Sequence, residues 1–267
     1  MDPPANVDWS GVAHAPAGAR PRIACLVPSL TELLFALELG EYVVARTGFC
    51  VHPRAARPVP KVGGTKDPDL DRLRALAPSH LIVNVDENTR EIVAAAREFV
   101  AHVIVTHPVH PAKNARLYRL FGLLFGRVRE AELLAQELTG AMECARVAAL
   151  ALPREDVLYL IWRNPWMTVS RATYVSATLA LAGWDTVPEH AELRYPVVAD
   201  DDAAWRNARR ILLSTEPFAF RERDAVALAA QRYRSVHLVD GEWTSWYGVR
   251  AIAGIRSLTA MRAAILG

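Results

Sequence analysis

Short runs of β-branched residues alternate with helical patterns in two parts of this chain, and this alternation limits the folds open to it. Such alternation is typical of parallel βαβ units. In the first part, strand patterns lie at 22–27, 42–48, 80–86 and 102–108, with helical patterns at 28–40, 67–79 and 88–100. In the second, strand patterns lie at 156–162, 209–215 and 235–240, with helical patterns at 173–183, 222–234 and 248–266. The sequence therefore predicts an α/β fold with two Rossmann-like parallel-sheet lobes.

A purely helical stretch of nearly forty residues separates these two parts. Apolar residues first mark one helical face up to a stop at Gly126, and a second, longer helix begins near Val128. About 22 residues at 1.5 Å each give that helix a length of about 33 Å, the length of a lobe. We therefore predict an N-terminal α/β lobe at 1–110, a helical linker at 111–153 and a C-terminal α/β lobe at 154–267.

Local signals predict where some helices begin and end. Ser29 and Glu32 form a capping-box pattern for the helix at 28–40, and Gly40 is the expected stop. Asp86 or Asn88 is the expected N-cap of the helix at 88–100.

Charge and composition exclude several classes of protein. The 267 residues include 31 basic and 29 acidic side chains in mixed order, for a net charge of +2, without the basic stripe of nucleic-acid binding proteins. The first 22 residues contain no apolar signal region, and no segment has eighteen uninterrupted apolar residues. The sequence as written predicts a cytoplasmic monomer without membrane insertion, and a periplasmic one if the true N-terminus is longer.

The three cysteines, Cys25, Cys50 and Cys144, are odd in number, widely spaced and outside any CxxC pattern. This arrangement argues against a disulfide framework and against a structural zinc site. We expect the cysteines to remain reduced.

The loops that follow parallel strands are where ligands bind in open sheets. In the second part these loops are rich in aromatic residues, which predicts a pocket for a large, flat, partly apolar ligand. The aromatic residues are Trp162, Trp166, Trp243, Trp246, Tyr247 and Phe218.

The stretch "TGFCVHP" places Cys50 and His52 two residues apart after the second strand. Three interpretations remain open: a nucleophile with its base, an axial metal donor from His52, and a pocket wall without chemistry. Glu87, Glu216 and His107 are distant candidates for further metal ligands, but no HxxxH, HxH or CxxC pattern supports a closed protein cage. We favour the pocket wall.

Three arginines follow or flank the strands of the second part, namely Arg163, Arg194 and Arg250. A guanidinium group matches a carboxylate with two parallel hydrogen bonds, so these side chains are candidates for binding the acidic groups of a ligand. Arg163, inside "WRNPWM", is the strongest candidate.

Three segments carry a family resemblance: "RIACLVPSLTELLFALELG", "PKVGGTKDPDLDRLRALAPSHLIV" and "WTSWYGVRAIAGIRSLTAM". Together with the long helix, they resemble the helical-backbone metal receptors, the substrate-binding proteins of class III ABC importers, and most closely the cobalamin-binding branch. The resemblance runs from about 22 to 266. It implies two lobes joined by a rigid helix, a shallow cleft between them, little closure on binding and no catalysis.

The resemblance also implies roles for individual residues. Corrin contacts correspond to the positions of Phe49, Lys66, Trp162, Trp166 and Trp246. Where the cobalamin branch tends to have an aromatic residue in the "VGGTKDP" loop, this chain has Lys66, which favours a ligand with carboxylate or phosphate groups. One acidic residue per lobe contacts the permease in this family, and the matching positions here are Asp71 and Asp201.

The sequence thus predicts a non-enzymatic protein that binds a metal chelate, cobalamin or another corrinoid, with no covalent cofactor and with an ABC-importer permease as its partner. One alternative is a cytoplasmic carrier or sensor of a chelate, haem or siderophore without a permease. Another is an enzyme that uses Cys50 and His52. The candidate ligand-binding residues are Phe49, Cys50, His52, Lys66, Glu87, Trp162, Arg163, Trp166, Arg194, Trp246 and Tyr247, with His52 as the candidate axial ligand.

Overall fold

A computed structural model describes residues 4–189, 192–232 and 235–266. The chain divides into two compact units. The first comprises Met1–Pro108, Ala112–Leu138 and Tyr247–Arg250, and the second comprises Val109–Pro111, Thr139–Trp246 and Ala251–Gly267. Residues of the predicted helical linker therefore contribute to both units.

The first unit contains a four-stranded parallel sheet. Its strands are β1 (Ile23–Cys25), β2 (Val43–Arg46), β3 (His80–Asn84) and β4 (His102–Thr106), in the order β2-β1-β3-β4. Every residue of β1 and β3 is buried. This burial explains why these strands are continuous apolar runs, as expected for a sheet covered on both faces.

The helices of the first unit follow the predicted order. They are α1 (Pro28–Ala36), α2 (Leu70–Ala75), α3 (Arg90–Ala96) and α4 (Asn114–Phe125). The long helix α5 (Val128–Leu150) begins in the first unit, and the division between the units falls within it. Gly126 follows α4 in the left-handed conformation, with φ at 69°, which confirms it as a stop.

Several predicted helix ends are wrong. The N-cap position of α1 is Val27 instead of Ser29, because Pro28 takes the first helical position, where its missing N–H costs nothing. Gly40 does not end α1 but begins a separate 3₁₀ turn, and the ring of Phe35 occupies the space that a Cβ atom at Gly40 would need.

The N-cap of α3 is Thr89, whose side chain accepts a hydrogen bond from the Ile92 N–H. Asp86 and Asn88 therefore do not cap this helix, and Asn88 is used differently, as described below.

The second unit contains a five-stranded sheet. Its strands are β5 (Glu155–Trp162), β6 (Met167–Thr168), β7 (Trp184–Thr186), β8 (Arg210–Ser214) and β9 (Ser235–Val239). Four of them are parallel in the order β7-β5-β8-β9, and β6 pairs antiparallel with the end of β5. The parallel strands thus repeat the order of the first sheet. The prediction of an α/β fold with parallel sheets is confirmed, apart from the antiparallel pairing of β6.

The helices of the second unit are α6 (Tyr174–Leu181), α7 (Ala203–Asn207), α8 (Glu222–Arg232), α9 (Gly241–Ser245) and α10 (Arg250–Leu266), together with the rest of α5. The sequence analysis did not predict β6, β7, α7 or α9. Each has five residues or fewer, too few for a period to stand out. No helix in the described parts of the chain is long and apolar enough to cross a membrane.

A buried charged cluster lies where β5 of the second unit begins. The carboxylate of Glu155 accepts hydrogen bonds from Arg210 at 2.7 Å and from Arg262 at 2.5 Å, and Arg209 forms an ion pair with it at 2.8 Å. The side chains of Glu155 and Arg262 are 2% and 1% exposed. The cluster therefore ties β5, β8 and α10 together through one carboxylate.

Candidate functional site

The strand order places a topological switch point in each sheet. In the first sheet, the connections after β1 and β3 lead in opposite directions, and in the second the same holds for β5 and β8. Open parallel sheets bind ligands in the loops beyond the carboxyl ends of such strands. We therefore describe these loops in each unit as the candidate site.

A buried arginine stabilises the loop that follows β2 through hydrogen bonds. Arg46 is 3% exposed, and its guanidinium donates to the carbonyls of Thr47 at 2.9 Å, Ala56 at 2.8 Å and Arg57 at 2.8 Å. Three charged hydrogen bonds to one loop fix both of its ends. The loop thus presents Phe49 and His52 from a defined backbone.

Cys50 is an inert part of this loop. Its side chain is buried, its thiol accepts a hydrogen bond from the Thr31 hydroxyl at 3.1 Å, and it shares another with the Thr47 hydroxyl at 3.2 Å. Burial raises the pKa of the Cys50 thiol above its ordinary value. The thiolate is the reactive form, and a raised pKa keeps Cys50 as the thiol, so the structure does not support Cys50 as a nucleophile. Cys50 is therefore buried behind the surface of the loop, as the pocket-wall interpretation expects.

Phe49 and His52 lie nearer to solvent. Phe49 is 63% exposed, and its ring lies 3.6 Å from the position that a Cβ atom at Gly64 would take. His52 is partly exposed. Among the described residues, no group of three or more His, Cys, Asp or Glu side chains is arranged to hold a metal ion, so Glu87, Glu216 and His107 do not join His52 in a cage.

The loop that carries Lys66 is a tight turn between β2 and α2. Gly63 has φ at 92°, a conformation that favours glycine, and the turn closes through an isolated bridge between Gly63 and Pro68. The Gly48 N–H donates to the Gly63 carbonyl at 2.8 Å. Lys66 is exposed at the tip of this turn, as a contact to an anionic ligand group requires.

Tyr247 and Glu87 contact each other in the first unit. The Tyr247 hydroxyl donates a short hydrogen bond to Glu87 Oε1, and burial together with this carboxylate raises the pKa of Tyr247 well above its ordinary value. Tyr247 is only 7% exposed. The two candidate residues therefore form an internal pair, with Glu87 the more accessible of the two.

Arg250, proposed from the sequence as a contact to acidic ligand groups, is bound within the first unit. Its guanidinium makes two hydrogen bonds to the Glu32 carboxylate, at 2.6 and 2.9 Å. A ligand carboxylate would need the same two hydrogen bonds. The predicted partner of Arg250 was a ligand, but in the structure the Glu32 carboxylate takes that position.

Trp162 is the exposed aromatic residue at the carboxyl end of β5. It is 40% exposed and makes an edge-to-face contact with Phe218, whose ring centroid lies 5.5 Å away. Arg163 forms an ion pair with Asp224 at 3.5 Å and lies over the Trp166 ring at 5.5 Å. Because that ion pair is long and Arg163 is 44% exposed, its guanidinium stays accessible to a ligand.

Trp166 packs largely into the second unit. Its ring stacks on Phe220 at 6.1 Å and meets Trp205 edge to face at 5.7 Å. Trp243 likewise packs against a buried cluster that includes Trp184. Core packing thus explains these two tryptophans, whereas it does not explain Trp162.

Trp246 and Glu216 form a hydrogen-bonded pair in the second unit. The indole N–H of Trp246 and the hydroxyl of Ser245 both donate to Glu216 Oε1, each at 2.8 Å. Burial raises the pKa of Glu216 despite these two bonds. The indole of Trp246 is therefore oriented by a carboxylate and is half-buried.

Arg194 lies in a segment that pairs with β6 and its neighbours. The Arg194 carbonyl accepts from the Ser170 N–H at 2.8 Å, and the guanidinium lies 5.8 Å from the Tyr195 ring. Arg194 is half-buried beside exposed apolar residues of the same segment.

Asp71 and Asp201, the predicted permease contacts, are both exposed. Asp71 lies in the first turn of α2, and Asp201 precedes the start of α7. Their exposure is what docking requires, and their role stays a prediction.

Two cavities lie within the second unit, and one of them borders the loops after β8 and β9 through Thr215 and Asp240. A groove of about 520 Å³ is lined mainly by alanines of α5 and α10, and a more open one of about 750 Å³ lies between Trp243 and α10. Neither is lined by a candidate ligand-binding residue. The candidate site in each unit is therefore described by the loop surfaces that follow the parallel strands.

The sequence analysis missed Arg46 as a residue that supports the site. A charged residue at the end of the apolar run "YVVAR" is the one signal that pointed to it. Its importance follows only from the three loop carbonyls that it binds.

Two parallel sheets of the same strand order, with exposed aromatic side chains beyond their carboxyl ends and an inert buried thiol, define the class of this molecule as an α/β binding protein. The chain belongs to the periplasmic binding protein family, whose model matches residues 23–231. Members of this family are substrate-binding proteins of ABC importers and not enzymes, so the enzyme alternative is wrong.

Three known proteins show the extent of the similarity. A vitamin B12-binding protein of Pectobacterium carotovorum is 23% identical over 217 residues, which cover 73% of this chain and 72% of that protein. The periplasmic vitamin B12-binding protein of Vibrio cholerae superposes with a TM-score of 0.79 at 17% identity, covering 92% of this chain and 98% of that one. The periplasmic haem-binding protein RhuT of Roseiflexus sp. RS-1 gives 0.78 at 21% identity, covering 93% and 100%. Similarity at this level establishes the shared fold.

Proposed function

We propose that this protein binds a metal chelate, cobalamin or another corrinoid, and delivers it to an ABC-importer permease. The observation that carries the proposal is the pair Phe49 and Trp162, large aromatic side chains that are 63% and 40% exposed beyond the carboxyl ends of their sheets. Packing in the core does not explain why an aromatic ring on a fixed loop is exposed. A flat macrocycle can stack on such a ring. The vitamin B12-binding relatives support the corrinoid.

Lys66 and Arg163 complement these rings with positive charge. Both are exposed near an aromatic residue, Lys66 at the tip of the turn that contacts Phe49 and Arg163 next to Trp162. A chelate with carboxylate or phosphate groups at its rim suits such a surface.

The binding test compares three chelates with the purified chain: cyanocobalamin, hemin and a ferric siderophore. We expect cyanocobalamin absorbance to remain with the protein through a desalting column, with matching heat in calorimetry. If the corrinoid elutes with the small molecules and releases no heat, the corrinoid proposal is wrong. Retention of hemin alone would support the haem alternative, which the haem-binding structural relative motivates.

Variants of the exposed rings test the site itself. Phe49→Ala and Trp162→Ala are each expected to weaken binding about two- to tenfold, since one stacked aromatic contributes about 0.5–1.5 kcal/mol. Leu133→Ala, at a 52% exposed position of α5, is the matched control and should leave the affinity unchanged. Equal affinity in all three variants would place the ligand elsewhere.

His52 and the acidic pair need separate tests. If His52 supplies an axial nitrogen, the absorbance of aquocobalamin shifts on binding, and His52→Ala abolishes this shift while cyanocobalamin still binds. If Asp71 and Asp201 contact the permease, their replacement by asparagine lowers uptake in cells without lowering affinity for the chelate.

The compartment is a proposal as well. Delivery to an importer implies export, and the carrier alternative implies a cytoplasmic location. A fusion of the authentic upstream DNA to a secretion reporter distinguishes them, because an exported fusion contradicts the cytoplasmic carrier.

A further inference from the structure

Asn88 connects three of the loops at the carboxyl end of the first sheet. It is 7% exposed and lies between β3 and α3. Its Oδ1 accepts from the Asn84 N–H at 2.8 Å, at the end of β3. Its Nδ2 donates to the Thr65 carbonyl at 2.8 Å and, with a longer separation of 3.4 Å, to the Leu26 carbonyl after β1. One amide side chain thus contacts the loop after β1, the end of β3 and the turn that carries Lys66.

The bond to Thr65 is the one that reaches the tip of the Lys66 turn. The base of that turn is closed by its own backbone, through the Asp69 N–H donating to the Val62 carbonyl at 2.8 Å, and by the Gly48 N–H donating to Gly63. In the described part of the chain, the hydrogen bond from Asn88 is the one that joins residues 64–67 to a residue outside the turn. Exposed turns with few hydrogen bonds open easily. The position of the tip therefore depends on Asn88.

The same amide cannot be replaced by its nearest analogue. An aspartate has the shape of asparagine and keeps an acceptor for the Asn84 N–H, but it lacks the two N–H donors and places a carboxylate against the Thr65 carbonyl. With the turn in its present position, the Thr65 carbonyl would lose its hydrogen-bond donor and face a buried negative charge. Both changes are unfavourable. The turn would move away from Asn88, and Lys66 with it.

We infer that Asn88 is a positioning residue for ligand binding: through its hydrogen bond to the Thr65 carbonyl it holds the Lys66 turn in place, so that Lys66 and the Phe49 ring are presented together to an anionic chelate. The inference rests on the proposed function, because it assigns Asn88 a part in the same site. Its energetic basis is preorganisation, since a turn that is already ordered does not have to be ordered by the ligand.

Two measurements on Asn88→Asp test this inference. The first is hydrogen–deuterium exchange in peptides that cover residues 60–70. We expect the hydrogen-bonded amides of Val62 and Asp69, at the base of the turn, to exchange at least tenfold faster while the strands β1 and β3 remain protected. The second is the affinity for cyanocobalamin, which we expect to fall about tenfold. Asn88→Ser removes the amide without adding a charge and serves as the second variant, with the same changes expected.

Thr89→Ala is the matched control. It removes the N-cap of α3 at the adjacent position and lowers the stability of the helix, but it leaves the hydrogen bond from Asn88 to Thr65 in place. We expect it to leave the affinity and the exchange of the Val62 and Asp69 amides unchanged. If Thr89→Ala weakens binding as much as Asn88→Asp does, then Asn88 acts only through general stability and the inference is overturned.

The variant Lys66→Met tests whether Asn88 affects binding by positioning Lys66, or by contacting the ligand directly or stabilising the fold in general. If Asn88 acts through the turn, Asn88→Asp should cost much less affinity in the Lys66→Met background than in the natural chain. An equal loss of affinity in both backgrounds, or unchanged exchange of the Val62 and Asp69 amides in Asn88→Asp, overturns the inference. If the natural chain binds none of the three chelates, the proposed function fails, and the exchange experiment still shows whether Asn88 holds the turn.

Discussion

The buried carboxylate of Glu155 leads to a prediction about the stability of the second unit. Replacement by glutamine keeps the size of the side chain but removes the negative charge that three arginines share. Arg262 and Arg210 are 1% and 12% exposed, so they keep their positive charges in a poorly hydrated place. Glu155→Gln therefore leaves two buried cations without their anion.

The size of the effect follows from the burial of each partner. Breaking a buried ion pair by removing one partner costs about 3–5 kcal/mol, whereas an exposed pair contributes about 1 kcal/mol or less. Arg209 is 70% exposed and belongs to the second kind. We therefore expect Glu155→Gln to lower the free energy of unfolding by about 3–5 kcal/mol, nearly all of it from Arg262 and Arg210. This loss is a large part of a typical domain stability of about 5–15 kcal/mol.

Denaturant unfolding followed by tryptophan fluorescence measures this loss. Six of the seven tryptophans lie in the second unit and only Trp9 in the first, so the signal reports mainly on the unit that contains Glu155. Glu143→Gln is the matched control, because Glu143 pairs with Arg146 at an exposed position of α5, with the two side chains 57% and 59% exposed. The control should lose less than about 1 kcal/mol.

The pH dependence and a double variant provide further checks. Burial by itself would raise the pKa of Glu155, but hydrogen bonds from Arg210 and Arg262 outweigh it, so the pKa lies below its ordinary value. Such a group stabilises the fold above its unfolded pKa and loses this contribution as the pH falls through its folded pKa. The difference in free energy of unfolding between the natural chain and Glu155→Gln should therefore become smaller below about pH 4.

The double variant Glu155→Gln, Arg262→Met should recover part of the lost stability, because it removes one of the two unpaired cations. A loss below about 1 kcal/mol for Glu155→Gln, or a double variant that is no more stable than the single one, would refute the reasoning.

Three further predictions concern single side chains. Arg46→Met should lower the free energy of unfolding by about 2–4 kcal/mol and speed hydrogen exchange at 47–57, because three loop carbonyls lose a charged donor; unchanged exchange contradicts this role. Cys144 is exposed whereas Cys25 and Cys50 are buried, so in the native protein iodoacetamide should modify Cys144 first by a wide margin, as measured by peptide mass spectrometry. Burial, with neighbouring imidazoles, lowers the pKa of His80 to about 4, so the unfolded chain binds a proton that the folded chain does not as the pH falls from about 6.5 to about 4. Stability should fall over that range, by up to about 3 kcal/mol, and His80→Gln should flatten the pH dependence of Tm.

The order of long elements could be predicted from the sequence because their patterns are local. The long helix α5 and the stop at Gly126 follow from a 3.6-residue period and from one glycine with a positive φ. The short elements β6 and β7 could not be predicted, since they exist through pairing with β5 and have no period of their own. The N-cap of α1 was predicted wrongly because the helix begins at Pro28, one residue before the expected capping residue Ser29.

The sequence identified which loops to examine as the candidate site, but not the environment of each residue in them. Parallel strands bring their following loops to one edge, so the sequence determined which loops to inspect. Exposure depends on contacts between residues far apart in the chain, and it separated Trp162 from Trp166, and Phe49 from the adjacent Cys50. No pattern in the sequence indicates which of two neighbours faces the core.

What the sequence alone determined about this protein is its architecture, because alternating strand and helix periods leave few other solutions for a chain of this length. Only the tertiary structure decided which side chains face solvent at the carboxyl ends of the sheets. It also showed that "TGFCVHP" contributes Phe49 and His52 to the surface while its thiol is buried, because Thr31 and Thr47, from outside and inside that loop, enclose the sulfur. The contact with Thr31 joins residues 19 positions apart, and it forms only when α1 and the loop after β2 have been brought together by the sheet.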